Sequence, residues 1–175
     1  GTITQAYHFT IDDAGAHDGG LVIGGGTWNS NNSNLTVDGW ISGNGTFAAA
    51  ASTVDVNQGI SVSTLTSSGG SITTGNDLRA ATSTFSGNTT VNCSAQLGGR
   101  IIVTSTNAPT FNTGRFYSSL DIRSGEQGNS ITNLDLSEPQ SGPARDLYFY
   151  NLEIDSQGTE NNTYTLEGGL YCTGT

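Results

Sequence analysis

Apolar residues in this chain alternate with polar ones over short spans. The pattern recurs at 3–7, 9–11, 21–23, 35–37, 54–56, 60–62, 101–103, 120–122, 134–136 and 152–154. A period of two points one residue inward and the next outward, which is the signature of a half-buried strand. Clusters of Gly, Asn and Ser separate the spans and supply turns. No stretch carries apolar residues at i, i+3, i+4 and i+7 through three helical turns. The only helix-friendly run, Ala48-Ala-Ala-Ala51, is too short to nucleate alone. The predicted class is all-β.

Repeats narrow that class. The stretch 45–59 (GTFAAAASTVDVNQG) resembles 83–96 (STFSGNTTVNCSAQ). Thr-Phe pairs start at 46 and 84, 38 apart, and Thr-Val pairs at 53 and 90, 37 apart. A third Thr-Phe pair starts at 110. A Leu-x-aliphatic unit begins at 120, 134, 152 and 170, in steps of 14, 18 and 18. Short strands at irregular steps fit a parallel β-solenoid, with Gly and Asn at its corners. The alternative, a β-sandwich or jelly roll, would show longer strands and more hairpin dipeptides, and Asn44-Gly45 is the only Asn-Gly. Aligning the repeats puts Cys93 in the place of Val56, an inward position.

The repeats also suggest a division. Residues 34–175 read as the repetitive solenoid, continued by a neighbouring subunit. Residues 1–33 depart from the repeat and read as a cap, an added strand or an assembly segment. The last alternating unit, Leu170-Tyr171-Cys172, starts a coil for which no partner coil follows. It is therefore expected to be an open strand edge that invites another chain.

Composition changes the picture in three ways. Fifteen acids against five basic residues give a net charge of −10, which disfavours nucleic acid and anionic membranes as partners. No apolar run approaches the ~20 residues of a membrane-spanning helix. Lys and Met are absent while Thr, Ser, Asn and Gly abound, as expected of an extracellular or cell-surface protein. A start at Gly1 is expected of a processed chain or an excised segment. Low charge also fits disorder, but the clustering of the apolar residues argues against it.

Several residues could carry chemistry. Asp12, Asp13, His17 and Asp18 form the densest ligand-like cluster, with Ca²⁺ as the cation that it would take. The loop alone offers too few oxygens, and a solvated turn competes with that reading. Asp121, Arg123, Asp135, Arg145, Asp146, Glu153 and Asp155 could line one face, as paired carboxylates do in β-helical polysaccharide-degrading enzymes. Outward positions must be polar in any case, so no catalytic residue is assigned and an enzyme is not expected. His8 and His17 are the only histidines, which leaves no Ser/His/Asp arrangement.

Cys93 and Cys172 are the only cysteines, and either a disulfide, within or between chains, or two buried thiols would account for them. Glycosylation sequons begin at Asn31, Asn34, Asn44, Asn88, Asn92 and Asn161, with Asn92 the poorest acceptor if Cys93 points inward. Trp28, Trp40, Tyr117 and Tyr148 could stack on sugars or pack in a core. Thr-x-Thr pairs at 2, 82, 104 and 163 raise the idea of an ice-binding face, but they do not recur at one coil length.

The stretches 45–59 and 148–175 (YFYNLEIDSQGTENNTYTLEGGLYCTGT) resemble the repeats of secreted bacterial and archaeal cell-surface proteins of the adhesin, sheath and surface-filament class. The resemblance covers roughly 34–175, and the segment 8–26 (HFTIDDAGAHDGGLVIGGG) falls outside it. It implies a parallel β-solenoid and a structural role: self-assembly into a filament, tube, sheath or surface layer. An adhesin or spike module that presents a face to glycans is the alternative, and no catalytic residues carry over.

Overall fold

The computed structural model describes residues 1–12, 20–95, 97–103 and 109–113, and the strands beyond them. At Val103, and from Asn112 onward, only the course of the strands is described. In chain order these are β1 (Thr2–Thr4), β2 (Phe9–Ile11), β3 (Leu21–Val22), β4 (Thr27–Asn29), β5 (Leu35–Val37), β6 (Ile41–Ala50) and β7 (Thr53–Val56). There follow β8 (Ile60–Ser67), β9 (Gly70–Thr74), β10 (Leu78–Phe85), β11 (Thr89–Cys93), β12 (Leu97–Val103) and β13 (Thr110–Thr113). The rest are β14 (Phe116–Tyr117), β15 (Leu120–Arg123), β16 (Asn133–Asp135), β17 (Leu147–Phe149), β18 (Leu152–Asp155), β19 (Thr163–Thr165) and β20 (Leu170–Cys172). No helix occurs among the described residues, so none there is long and apolar enough to cross a membrane.

Every strand pair is parallel, and partners lie one turn apart. The protein is a parallel β-solenoid. One ladder runs β1-β4-β6-β8-β10-β12-β15-β18 and the other β2-β5-β7-β9-β11-β13-β16-β19. Ile41, Ile60, Leu78 and Leu97 stack at intervals of 18 or 19 residues. Leu35, Val54, Ile72, Val91 and Phe111 stack in the second ladder at intervals of 18 to 20 residues. The Thr-Val repeat of 37 residues is thus two turns, with Thr53 and Thr90 each paired to Ser71.

The long strands of the first ladder bend. In β8, Ile60, Val62, Leu65 and Ser67 are buried, while Ser63 and Thr64 are consecutive and not buried. In β10 the pair is Ala81 and Thr82. Two outward residues in a row reverse the alternation and turn the chain onto a new face. The register shifts at this corner between β6 and β8 and between β10 and β12. Gly43 and Gly99 stand there with φ of 122° and 97°, a backbone region that favours glycine. The bend splits the first ladder into two faces and gives each turn three sides. β3 and β14 pair only with the half before the bend, and β14 lies beside β17, which pairs β20.

The third face explains where the repeats depart from the sequence reading. Phe47 pairs with Leu65 and Leu65 with Ser83, whereas Phe85 pairs with Ser67. The Thr-Phe pairs at 46 and 84 are therefore two residues out of register, and the third, at Thr110-Phe111, lies in the other ladder. Both offsets keep Phe inward. The four Leu-x-aliphatic units are not successive turns either. Leu120 pairs with Leu152, Leu134 with Tyr164 and Leu170 with Leu147, on three different faces. The segment 1–33 is joined to the same stack, because β1, β2 and β3 pair with β4, β5 and β6.

The core is the column of inward side chains, with Phe47, Phe85, Phe111, Leu35, Ile41, Ile60, Leu65, Ile72, Leu78 and Leu97 fully buried. Each such side chain contributes about 1.5–3 kcal/mol on burial. Bulk alternates along the last face. Phe47 precedes the small Ala49, Leu65 precedes Ser67, and Ser83 precedes Phe85. Phe85 meets Phe111 edge to face, with ring centroids 5.2 Å apart and planes at 81°, a favoured aromatic arrangement.

Ser83 completes that exchange of volume, but its buried Oγ has no hydrogen-bond partner among the described residues. Ser83→Ala removes an unsatisfied hydroxyl, so it should raise stability by about 1 kcal/mol in denaturant titration. Gly99→Ala should do the opposite. Its positive φ is strained for alanine, and the new Cβ would run into the Ala80 carbonyl oxygen. A loss above about 1 kcal/mol is expected.

Candidate functional site

Three places on the solenoid gather polar groups or leave apolar groups uncovered. They are a cleft beside the start of the second ladder, a threonine-lined face and the first turn of the stack.

The cleft has a volume of about 240 Å³ and is lined by Thr10, Ile11, Asp12, Thr36, Val37, Asp38, Asp55 and Asn57. Parallel pairing builds it. Thr10 pairs with Thr36 and Thr36 with Asp55, so three outward residues share one column. Asp38 follows β5 and accepts a hydrogen bond from Asn57 Nδ2 at 2.8 Å. Asp12 is the one member of the predicted cation cluster among the described residues. Asp13, His17 and Asp18 lie outside them. Asp12 faces carboxylates that the sequence reading did not group with it, because Asp38 and Asp55 come from later turns. No group of three His, Cys, Asp or Glu side chains among the described residues is placed to hold a metal ion.

The outward face after the bend is different. Thr2 pairs with Thr27, Thr27 with Thr46, Thr46 with Thr64 and Thr64 with Thr82, which makes one column. Beside it runs a second column of Thr4, Asn29, Ala48, Thr66 and Thr84. The reading that Thr-x-Thr pairs fail to recur is thereby corrected, since Thr64-x-Thr66 and Thr82-x-Thr84 lie one turn apart, in register. Irregular corner lengths hid the column, because β6 has one extra residue at the bend, with Asn44 and Gly45 where β8 has Ser63 alone. Of the other pairs, Thr104 and Thr106 lie outside the described residues, and Thr163–Thr165 belongs to the second ladder. The two columns carry no charge until Arg100 and, further on, Asp121.

At the first turn the inward columns are uncovered. Ile3 pairs with Trp28, and Trp28 with Phe47. Phe9 pairs with Leu35. Phe47 and Leu35 are fully buried, yet Ile3 is 61% and Phe9 46% exposed. Trp28 packs against the core and against Phe9, with ring centroids 5.9 Å apart. Gln5 is buried beside them, and its Nε2 donates to the carbonyls of Tyr7 and Asn34.

The other predicted residues fall as follows. Cys93 pairs with Thr74, and Thr74 with Val56. It is a free, buried thiol that donates to the Asn76 carbonyl at 3.2 Å. A bond to a neighbour's Cys172 would require that turn to open. Cys172, Leu170 and Tyr171 form β20, the end strand of the β17–β20 pair. Asn31, Asn44 and Asn88 are exposed, and Asn34 is half-buried with its Oδ1 accepting from the Thr53 amide. Asn92 donates to Thr73 Oγ1, and Asn161 lies outside the described residues.

Trp28 is half-buried against the core, and Trp40 is half-buried with its ring over Gly59. Tyr117 and Tyr148 are placed on β14 and β17. Among the acidic-face residues, Asp121 stands opposite Glu153 and Arg123 opposite Asp155. Asp135 lies on β16 in the other ladder, so these residues do not share one face. Arg145 and Asp146 lie outside the described residues.

Comparison with protein-family models, with curated proteins and with solved structures gave no match.

Burial of Cys93 predicts slow chemistry. Its labelling by a thiol reagent should be far slower in the native protein than in denaturant, while Thr74→Ala, which only loosens its surroundings, should accelerate it. Equal native and denatured rates at Cys93, read by peptide mapping, would contradict its burial.

Proposed function

We propose that this chain is a structural β-solenoid that extends by end-on stacking with a second copy of itself, as an element of an extracellular filament, sheath or surface layer. The observation that carries this reading is the uncovered first turn. Ile3 and Phe9 occupy core columns in register with buried residues, but remain exposed at the end of the stack. A further turn laid on them would bury both side chains, each contributing about 1.5–3 kcal/mol. It would also pair the outer edges of β1 and β2, which have no strand partner among the described residues.

The opposite end offers matching partners. β18, β19 and β20 are the last described strands of their sheets. Parallel edges at both ends favour a head-to-tail contact, and such a contact repeats into an open polymer when its rotation does not close. Lys and Pro, the usual guards of strand edges, are missing from the first turn.

The test is a concentration series by analytical ultracentrifugation and electron microscopy. Wild-type protein should form rods that lengthen with concentration. The double substitution Ile3→Lys, Phe9→Lys should leave monomers, because two charges would be buried at the junction. Val22→Lys is the control, since Val22 is exposed at 73% on the outward side of β3. Wild-type protein that stays monomeric throughout would overturn the reading.

A further inference from the structure

We infer that the threonine face binds ice, as a surface matched to ordered water rather than to a soluble ligand. This is independent of the stacking reading, which concerns the ends of the solenoid and not its side.

The argument begins with geometry. Strands of adjacent turns lie about 4.8 Å apart, and alternate residues along one strand about 6.6 Å apart. Thr64 and Thr66, with Thr82 and Thr84 beneath them, are therefore the corners of a cell fixed by backbone hydrogen bonds. One side of the cell continues upward through Thr46, Thr27 and Thr2, while the other carries Ala48, Asn29 and Thr4. Threonine is β-branched and stiff at χ1, and in the turns of β4, β6, β8 and β10 each is half-buried by its neighbours. Hydroxyl and methyl groups are thus held on a grid before any ligand arrives, which lowers the ordering cost of binding.

Chemistry then selects the occupant. Each threonine hydroxyl offers one donor and two acceptor sites, as water does. Each methyl borders water that it cannot hydrogen-bond, so the surrounding waters are ordered among themselves. The grid is neutral, although the chain carries a net charge of −10. A charged polymer or ion has nothing to grip there. A polysaccharide crystal would call for aromatic platforms, and the aromatic residues of these rows, Trp28 and Phe47, point inward. A partner that is itself periodic, neutral and made of hydrogen-bond donors and acceptors is left, and ice is that partner.

The experiment is ice-affinity partitioning of the whole chain, in which protein is frozen slowly onto a cold surface and the fraction taken into ice is measured. Thr64→Tyr and Thr82→Tyr keep a strand-favouring residue but raise a bulky ring above the grid. Thr73→Tyr places the same ring on the outward side of β9, away from the grid. Circular dichroism and sedimentation establish that each variant folds and associates as wild type does.

Enrichment of wild type and Thr73→Tyr in ice, with its loss in both grid variants, is the expected result. Exclusion of wild type from ice, to the level of an acidic non-binding protein, would overturn the proposal. So would equal loss in Thr73→Tyr, co-sedimentation with crystalline cellulose or chitin in place of ice uptake, or a change of oligomeric state confined to the grid variants.

Discussion

Register between successive turns is the constraint on which this structure depends. No turn can bury its own apolar side chains alone, since inward residues of one turn, such as Ile60, Val62, Leu65 and Ile72, would be open above and below. Burial comes from the residue one turn above and one turn below. Backbone donors and acceptors are satisfied in the same direction, so hydrogen bonding and packing reinforce a single alignment. A slip by one residue would turn every inward Val, Ile, Leu and Phe outward. The tolerated slips fall at the bend near Gly43 and Gly99, where β6 has one residue more than β8 and β12 one fewer than β10, and register resumes at the Thr46–Thr64 and Thr82–Arg100 pairs.

Polar residues within the stack follow from the same rule. Thr74 and Cys93 stand in a column that begins with Ile11, Val37 and Val56, and both donate to the Asn76 carbonyl. Ser67 and Thr89 sit 2.9 Å apart, oxygen to oxygen, inside the corner. At the same corner in the preceding turns, Asn32 and Asn34 supply side-chain oxygens to the amides of Ala51 and Thr53. Corners therefore continue the ladder with side chains where the backbone turns away. This is why Asn and Ser crowd the sequence between strands.

The class of fold was legible in the alternation, and the two-turn spacing of the Thr-Val pairs was legible in the repeat. The inward place of Cys93 followed from aligning it with Val56. What escaped was the bend. Ser63-Thr64 and Ala81-Thr82 break a period of two in a way that resembles noise in a single turn and becomes a rule only when turns are stacked. Without it, Phe47 and Phe85 seemed equivalent, and the threonines at 2, 27, 46, 64 and 82 did not fall into line. The acidic cleft escaped for a related reason: Asp12, Asp38 and Asp55 line it from successive turns, and sequence distance gives no hint of it.

Leu120 follows its partner Ile101 by 19 residues, and Leu152 follows Leu120 by 32, yet both pairs hold register. The ladder is therefore indifferent to how much chain is spent between one strand and the next, and loop closure grows only slowly more costly with length. Heritable change in such a gene has two unequal domains. Codons for the inward columns are bound to one another across turns, whereas insertions at the corners are nearly free. New surface can accumulate there, generation after generation, on a shaft that does not change.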